Sequence, residues 1–122
     1  MNRSILIVFV AAAVAAVTVG SALGKSAATP TLVGTVGPGF TITLKQNNKV
    51  VKTLKAGKYK LVIHDKASIH AFSMDGPNGY AKDFTAVPFV GTKTINVSWK
   101  AGKYKFYCPP HESTMFGHFT VK

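Results

Sequence analysis

The sequence predicts an all-β domain, an antiparallel β-sandwich of seven or eight short strands. Three observations carry that expectation. Apolar residues recur at every second position in several short runs, Gly-, Pro- and Asn-rich turn signals separate those runs, and no convincing helical period follows residue 24. A chain of 122 residues has room for one domain and one core. With 47% apolar and only 16% charged residues it is too hydrophobic for intrinsic disorder, and a single Cys excludes a disulfide scaffold. Fifteen Lys+Arg against four Asp+Glu give a formal charge of +11, which suits an anionic partner, acidic protein or nucleic acid.

The N-terminus accounts for part of the apolar excess. Met1-Asn2-Arg3 is a short positive start, Ser4 to Val19 is a nearly continuous apolar run, and Gly20 to Gly24 closes it with small residues. This is the layout of a secretory signal peptide, with cleavage expected ahead of Lys25, give or take two residues. The competing reading is an uncleaved anchor, since a run of this length can span a bilayer. The expected organisation is therefore a signal peptide at 1–24, a linker at 25–31 and one domain at 32–122, exported to the periplasm or the extracytoplasmic face. All the lysines lie beyond residue 24, so the basic character belongs to the domain.

Strand by strand, Phe40-x-Ile42-x-Leu44 alternates with threonines, and Tyr59-x-Leu61-x-Ile63 with Lys60 and Val62. Further along, Ile95-x-Val97-x-Trp99 alternates with Asn96 and Ser98, Tyr104-x-Phe106-x-Cys108 with Lys105 and Tyr107, and Phe119-x-Val121 closes the chain. A strand is also read at Ile69 to Met74. The turns fall at Gly37-Pro38-Gly39, Gln46-Asn47-Asn48, Ala56-Gly57, Asp75 to Gly79, and Ala101-Gly102. One hexapeptide occurs twice: Lys55-Ala56-Gly57-Lys58-Tyr59-Lys60 returns as Lys100-Ala101-Gly102-Lys103-Tyr104-Lys105. Two copies do not make a repeat protein; the same turn launches two strands, each with Tyr inward and Lys outward.

A lone thiol in an exported chain is exposed to oxidation unless it is buried, paired between chains or held by a metal, so Cys108 demands an explanation. The run Cys108-Pro109-Pro110-His111-Glu112-Ser113-Thr114-Met115 sets a thiol, an imidazole and a thioether on one proline-stiffened loop. Soft sulfur plus imidazole suits copper, and two His, one Cys and a distant Met form the blue-copper electron-transfer set. The second His comes from elsewhere. On the strand read at Ile69 to Met74, His70 shares the inward side with Phe72 and Met74, whereas His64 and His118 fall on outward positions. A thiol nucleophile with His111 as base is the enzymatic alternative, and it lacks an evident oxyanion donor or third orienting residue.

The pattern Tyr107-Cys108-x-x-His111-x-x-x-Met115-x-Gly117-x-Phe119 resembles the copper loop of the cupredoxins, the family of plastocyanin, azurin and pseudoazurin. The likeness covers essentially the whole chain beyond the signal peptide. It implies a Greek-key β-sandwich with copper at one end, held by His70, Cys108, His111 and Met115, and one-electron transfer rather than enzymatic turnover. Many members carry Asn after the first His; here Ala71 stands there, and its backbone N–H is still available to the Cys sulfur. The resemblance also implies His111 as the partly exposed ligand through which electrons pass, ringed by Pro109, Pro110, Phe116 and Phe89. Lys58, Lys60, Lys82, Lys93, Lys100, Lys103 and Lys105 are expected outward, where they would steer redox partner proteins with acidic docking surfaces toward a monomeric carrier. Nucleic acid is not expected, with no Arg beyond residue 24, and membrane contact only through an uncleaved N-terminus. The alternative function is an extracytoplasmic copper carrier or buffer using the same four ligands.

Overall fold

The computed structural model describes residues 28–122. The signal peptide expected at 1–24, its cleavage site and the first part of the linker lie outside the described residues. Ten strands follow: β1 (Thr31–Val36), β2 (Ile42–Gln46), β3 (Lys49–Val50), β4 (Thr53–Leu54), β5 (Gly57–Asp65), β6 (Ser73–Asp75), β7 (Ala81–Asp83), β8 (Gly91–Trp99), β9 (Gly102–Tyr107) and β10 (Phe116–Val121). Short 3-10 turns occur at Pro77–Gly79 and Pro109–His111. The strands form two five-stranded sheets, β3-β2-β1-β5-β8 and β4-β10-β9-β6-β7.

The all-β sandwich is as the sequence predicts, with two differences. The sheets are mixed rather than antiparallel, because β1 runs parallel to β5 and β10 parallel to β4. Alternation fixes which face a residue takes and is silent on the neighbour and its direction. The strand count exceeds seven or eight because β3, β4 and β7 are only two or three residues long, too short to show a period.

Leu61 and Ile63 of β5, Leu32 and Val36 of β1, and Phe106, Phe119 and Val121 of the opposite sheet are buried in one shared core. Burying each Leu or Ile stabilises the fold by about 1.5–3 kcal/mol. Among the described residues every strand and every core residue lies between Thr31 and Val121, so these residues close a core of their own. At one end Trp99 sits among Tyr59, Tyr104 and Phe119, with ring centroids 5.3 to 5.7 Å away, and its indole N–H donates to the Tyr80 hydroxyl at 3.0 Å. Such pairs add about 0.5–1.5 kcal/mol each beyond burial.

The duplicated hexapeptide has a physical cause. The Tyr59 hydroxyl donates to the Lys55 carbonyl at 2.6 Å, and the Tyr104 hydroxyl to the Lys100 carbonyl at 2.8 Å. Each tyrosine thus reaches back four residues and clamps the turn that launched its strand. The turn glycines take positive φ, +143° at Gly57 and +151° at Gly102; at Gly102 a Cβ would also strike the Pro77 ring. One clamp lies in each sheet, at the same end of the sandwich, because Gly57 pairs with Trp99 and Gly102 with Val121.

Two local expectations change. Phe40 is not part of a strand: β2 begins at Ile42, and Phe40 stands 60% exposed after the Gly37-Pro38-Gly39 turn. His70 likewise precedes β6 rather than lying in a strand from Ile69. Residues 70 to 74 are all buried, so parity does not distinguish His70 from Ala71; the loop buries both faces. Removing a clamp measures its worth: Tyr104→Phe is expected to lower the unfolding free energy by about 1 kcal/mol. Urea titration followed by the fluorescence of Trp99, the single tryptophan, reads that change, and an unaltered midpoint would contradict the clamp.

Candidate metal centre

Three chain segments meet at the end of the sandwich opposite Trp99. The first leaves β5 at Asp65. This carboxylate is 2% exposed; it accepts from the Ala67 N–H at 3.3 Å and from the Thr85 hydroxyl at 3.1 Å. Thr85 in turn accepts the Phe72 N–H at 2.9 Å. The chain between Asp65 and Phe72 is therefore tied at both ends to one buried pair, and the turn inside it is closed by the His70 N–H donating to the Ala67 carbonyl at 3.2 Å. His70 is held fully buried at this turn. Gly37, the next contributor, has φ +74°, and a Cβ there would lie 2.9 Å from the His70 ring. Glycine is required on both counts.

The third segment is the loop after β9. Tyr104 and Phe106 face the core, and the same alternation carries Cys108 inward, where it is fully buried. Its N–H donates to the Met115 carbonyl at 3.0 Å. The His111 N–H donates to the Cys108 carbonyl at 2.9 Å, and the Met115 N–H to the His111 carbonyl at 2.8 Å, so the loop folds back on itself. Met115 is fully buried, and His111 is half-buried at the rim. Pro109 and Pro110 have no N–H to offer the sulfur. Ala71 supplies one instead: its N–H donates to Cys108 Sγ at 3.4 Å, joining the His70 and Cys108 segments.

The result is a triangle of ligand atoms. His70 Nδ1 and His111 Nδ1 are 3.2 Å apart, and Cys108 Sγ is 3.7 Å and 3.6 Å from them. A point about 2 Å from all three exists, close to the ~2.0–2.3 Å of metal–nitrogen and metal–thiolate bonds. His70 Nε2 is buried without a hydrogen-bond partner, the single such side-chain atom among the described residues. Packing therefore orients that ring, with Nδ1 turned to the cluster. The donor set and spacing fit a metal ion, and these three are the residues the described structure brings together for one. Met115 joins them through its backbone bonds to Cys108 and His111. His64, bonded to Thr92, and exposed His118 stand outside the cluster.

Two neighbours complete the site. Phe40 meets both imidazoles edge-on, with centroids 5.5 Å from His70 and 5.0 Å from His111. Tyr107, next to Cys108, donates to the Asp75 carboxylate at 3.2 Å; burial first, then the Asp75 charge, push its hydroxyl above the ordinary value of 10.0. It stays a protonated donor throughout the neutral range. The Lys105–Glu112 ion pair at 2.8 Å is partly exposed and contributes at most about 1 kcal/mol.

Gly37, Phe40, Asp65 and Thr85 were not legible as site residues. Gly37 reads as an ordinary turn residue, Phe40 mimics a strand position, and Thr85 carries no pattern because its partners are distant in sequence. Thr85→Val would leave the Phe72 N–H without an acceptor and Asp65 short of a donor. The expected cost is about 1–3 kcal/mol of stability and about 10–100-fold in metal affinity. Denaturant titration and competition against a chelator read the two effects; unchanged metal affinity would show that the pair does not position His70.

No protein-family model matches the sequence, and no curated protein does. Solved structures do match. Rusticyanin from Thiobacillus ferrooxidans aligns with a TM-score of 0.52 at 24% identity, covering 77% of each chain. Reduced rusticyanin gives 0.53 at 23% identity, over 77% of this chain and 79% of that one. An oxidized mutant of amicyanin gives 0.51 at 14%, over 75% of this chain and 81% of that one. Both are cupredoxins, and at these identities the likeness is one of backbone architecture. With its two mixed sheets and its Cys108-His70-His111 cluster at one end, the chain has the cupredoxin fold.

Proposed function

We propose that this chain is an exported blue copper protein that carries single electrons, with His70, Cys108, His111 and Met115 as the copper ligands. The observation that carries the reading is the triangle of two imidazole nitrogens and one thiol sulfur, each pair within 3.7 Å, already formed in the fold. A soft thiolate with two imidazoles and a thioether is a set that selects copper. Rusticyanin is described as a copper protein, and rusticyanin and amicyanin occur in reduced and oxidized forms respectively, which supports a redox role.

Bound copper supplies the Cu(II)/Cu(I) couple. The chain's own residues keep the site constant between the two states. Ala71 N–H fixes the sulfur, the Cys108 N–H fixes Met115, and Asp65 with Thr85 fixes the His70 turn. Phe40, Pro109 and Pro110, all exposed, give the rim around His111 an apolar surface on which a redox partner docks, while exposed Phe116 lies against Lys105 and His118. Phe89 stands 37% exposed on the loop before β8. Cys108 is fully buried, which keeps an external substrate from its sulfur and supports an electron carrier over an enzyme.

The lysines bear differently on the partner. Of the seven expected to steer it, Lys58, Lys60, Lys100 and Lys103 belong to the end carrying Trp99, away from the site. Docking at His111 therefore rests on apolar contact more than on lysines beside it. The copper-carrier alternative shares the ligands; the buried, pre-formed cluster favours retention of the ion over its release. For export, the positive start, apolar run and small-residue exit support removal of residues 1–24. Mass spectrometry of protein recovered from a secreting host is expected to give a mature start within two residues of Lys25.

Adding Cu(II) to the domain from Lys25 onward is expected to yield one ion per chain and an intense blue absorption band, absent in Cys108→Ser. A colourless complex, or a band retained in Cys108→Ser, would overturn the proposed site. A blue protein that rapidly yields its copper to an apo-acceptor would support the carrier instead.

A further inference from the structure

The charge of this molecule is divided between its two ends. All four acidic residues lie in the half that holds the cluster: Asp65 closes β5 beside Val36, Asp75 pairs with Lys105, Asp83 with Ser73, and Glu112 is on the Cys108 loop. At the Trp99 end six lysines are exposed, Lys55, Lys58, Lys60, Lys100, Lys103 and Lys122, with no acid among them. They ring that end: Lys58 and Lys60 stand on the outer face of one sheet, Lys103 on the outer face of the other, and Lys55, Lys100 and Lys122 on the turns and chain segment between. Gly57 pairs with Trp99, setting the Lys55–Lys58 turn beside the Lys100–Lys103 turn. The Ala56 N–H donates to the Lys122 carbonyl at 2.8 Å, and the Lys122 N–H to the Leu54 carbonyl at 2.9 Å, which holds the last residue against the same turn. The single ion pair among the described residues, Lys105–Glu112, lies elsewhere, so these six ammonium groups have no carboxylate partner there.

The first strand begins at this end too. Thr31 pairs with Lys60, whose N–H donates to the Pro30 carbonyl at 2.9 Å. The described chain thus enters the domain at its lysine end. The exposed aromatics, by contrast, are Phe40, Phe89 and Phe116, all on segments of the cluster end.

We propose that the lysine end rests on a membrane bearing anionic phospholipid headgroups, which turns the His111 end away from the lipid. Lysine is a strongly hydrated point charge on a flexible stem and suits a diffuse anionic surface. Clusters of four to eight such residues attract anionic headgroups. The end has no arginine for bidentate phosphate recognition and no exposed aromatic ring for stacking bases, so nucleic acid is a poorer occupant. The inference does not depend on copper.

The test uses the metal-free domain from Lys25 onward, which contains both sheets and the whole core, and vesicles sedimented at low ionic strength. Binding is expected with phosphatidylcholine containing phosphatidylglycerol and not with phosphatidylcholine alone. Each lysine near the surface is worth about fivefold in partitioning. The triple variant Lys58→Gln/Lys100→Gln/Lys103→Gln should therefore bind about a hundredfold more weakly. The triple variant Lys45→Gln/Lys66→Gln/Lys82→Gln removes the same charge from elsewhere and should bind nearly as the parent does. Equal losses in the two variants, no binding to anionic vesicles, or tighter binding to duplex DNA or polyglutamate at the same salt would overturn the proposal.

Discussion

The hydrogen bond from the Ala71 N–H to the Cys108 sulfur is the contact on which the arrangement of this molecule turns. It joins the segment that carries His70 to the loop that carries His111 and Met115, two stretches nearly forty residues apart. β6 and β9 lie side by side in one sheet, so the sheet brings these segments to the same end, and the bond sets their relative position. A buried sulfur and two imidazoles packed against each other would be an unfavourable cluster if each polar atom lost water without compensation. The fold compensates through backbone donors and through the Asp65–Thr85 pair beneath the His70 turn. What remains uncompensated is His70 Nε2, which packing alone holds.

For the proposed electron carrier, that arrangement matters through its rigidity. The loop after β9 is closed by short backbone bonds among Cys108, His111 and Met115, and the two residues that follow Cys108 are prolines with fixed φ. A site whose groups are held by the scaffold changes little as charge is added or removed. Phe40 extends the same logic to the surface, because its ring lies against both imidazoles while most of it faces outward. The opposite end is built on two tyrosine clamps and carries lysines instead. One end thus holds the His70, Cys108 and His111 cluster and the exposed phenylalanines, and the other is polar and cationic.

Much of this was legible in the sequence because one periodicity and one local spacing carry it. Alternation in β5, β8, β9 and β10 marks the inward residues, and Cys108 follows Tyr104 and Phe106 on the inward register. The loop chemistry of Cys108, His111 and Met115 is local, so spacing alone reveals it. His70 was also found, although by an argument the structure replaces: a loop buried on both sides, not a strand face, encloses it. The parallel pairing of β1 with β5, the position of Phe40 and the role of Thr85 were not legible. Each depends on contacts between segments distant in the chain, for which a single sequence has no local sign. The repeated hexapeptide lay between these cases, visible as an echo and explained only once the hydroxyl-to-carbonyl bonds were seen.

The central claim is that the ligand groups are pre-positioned by the protein rather than gathered by the metal. Amide hydrogen exchange of the metal-free domain tests this most directly, read at Ala71, Cys108 and Met115 against the core strand residues Leu61 and Phe106. The account predicts that these three amides, donors to Sγ and to the Met115 and His111 carbonyls, are protected nearly as well as the core strands. Exchange at the rate of an unstructured chain, slowed only when Cu(II) is added, would contradict it.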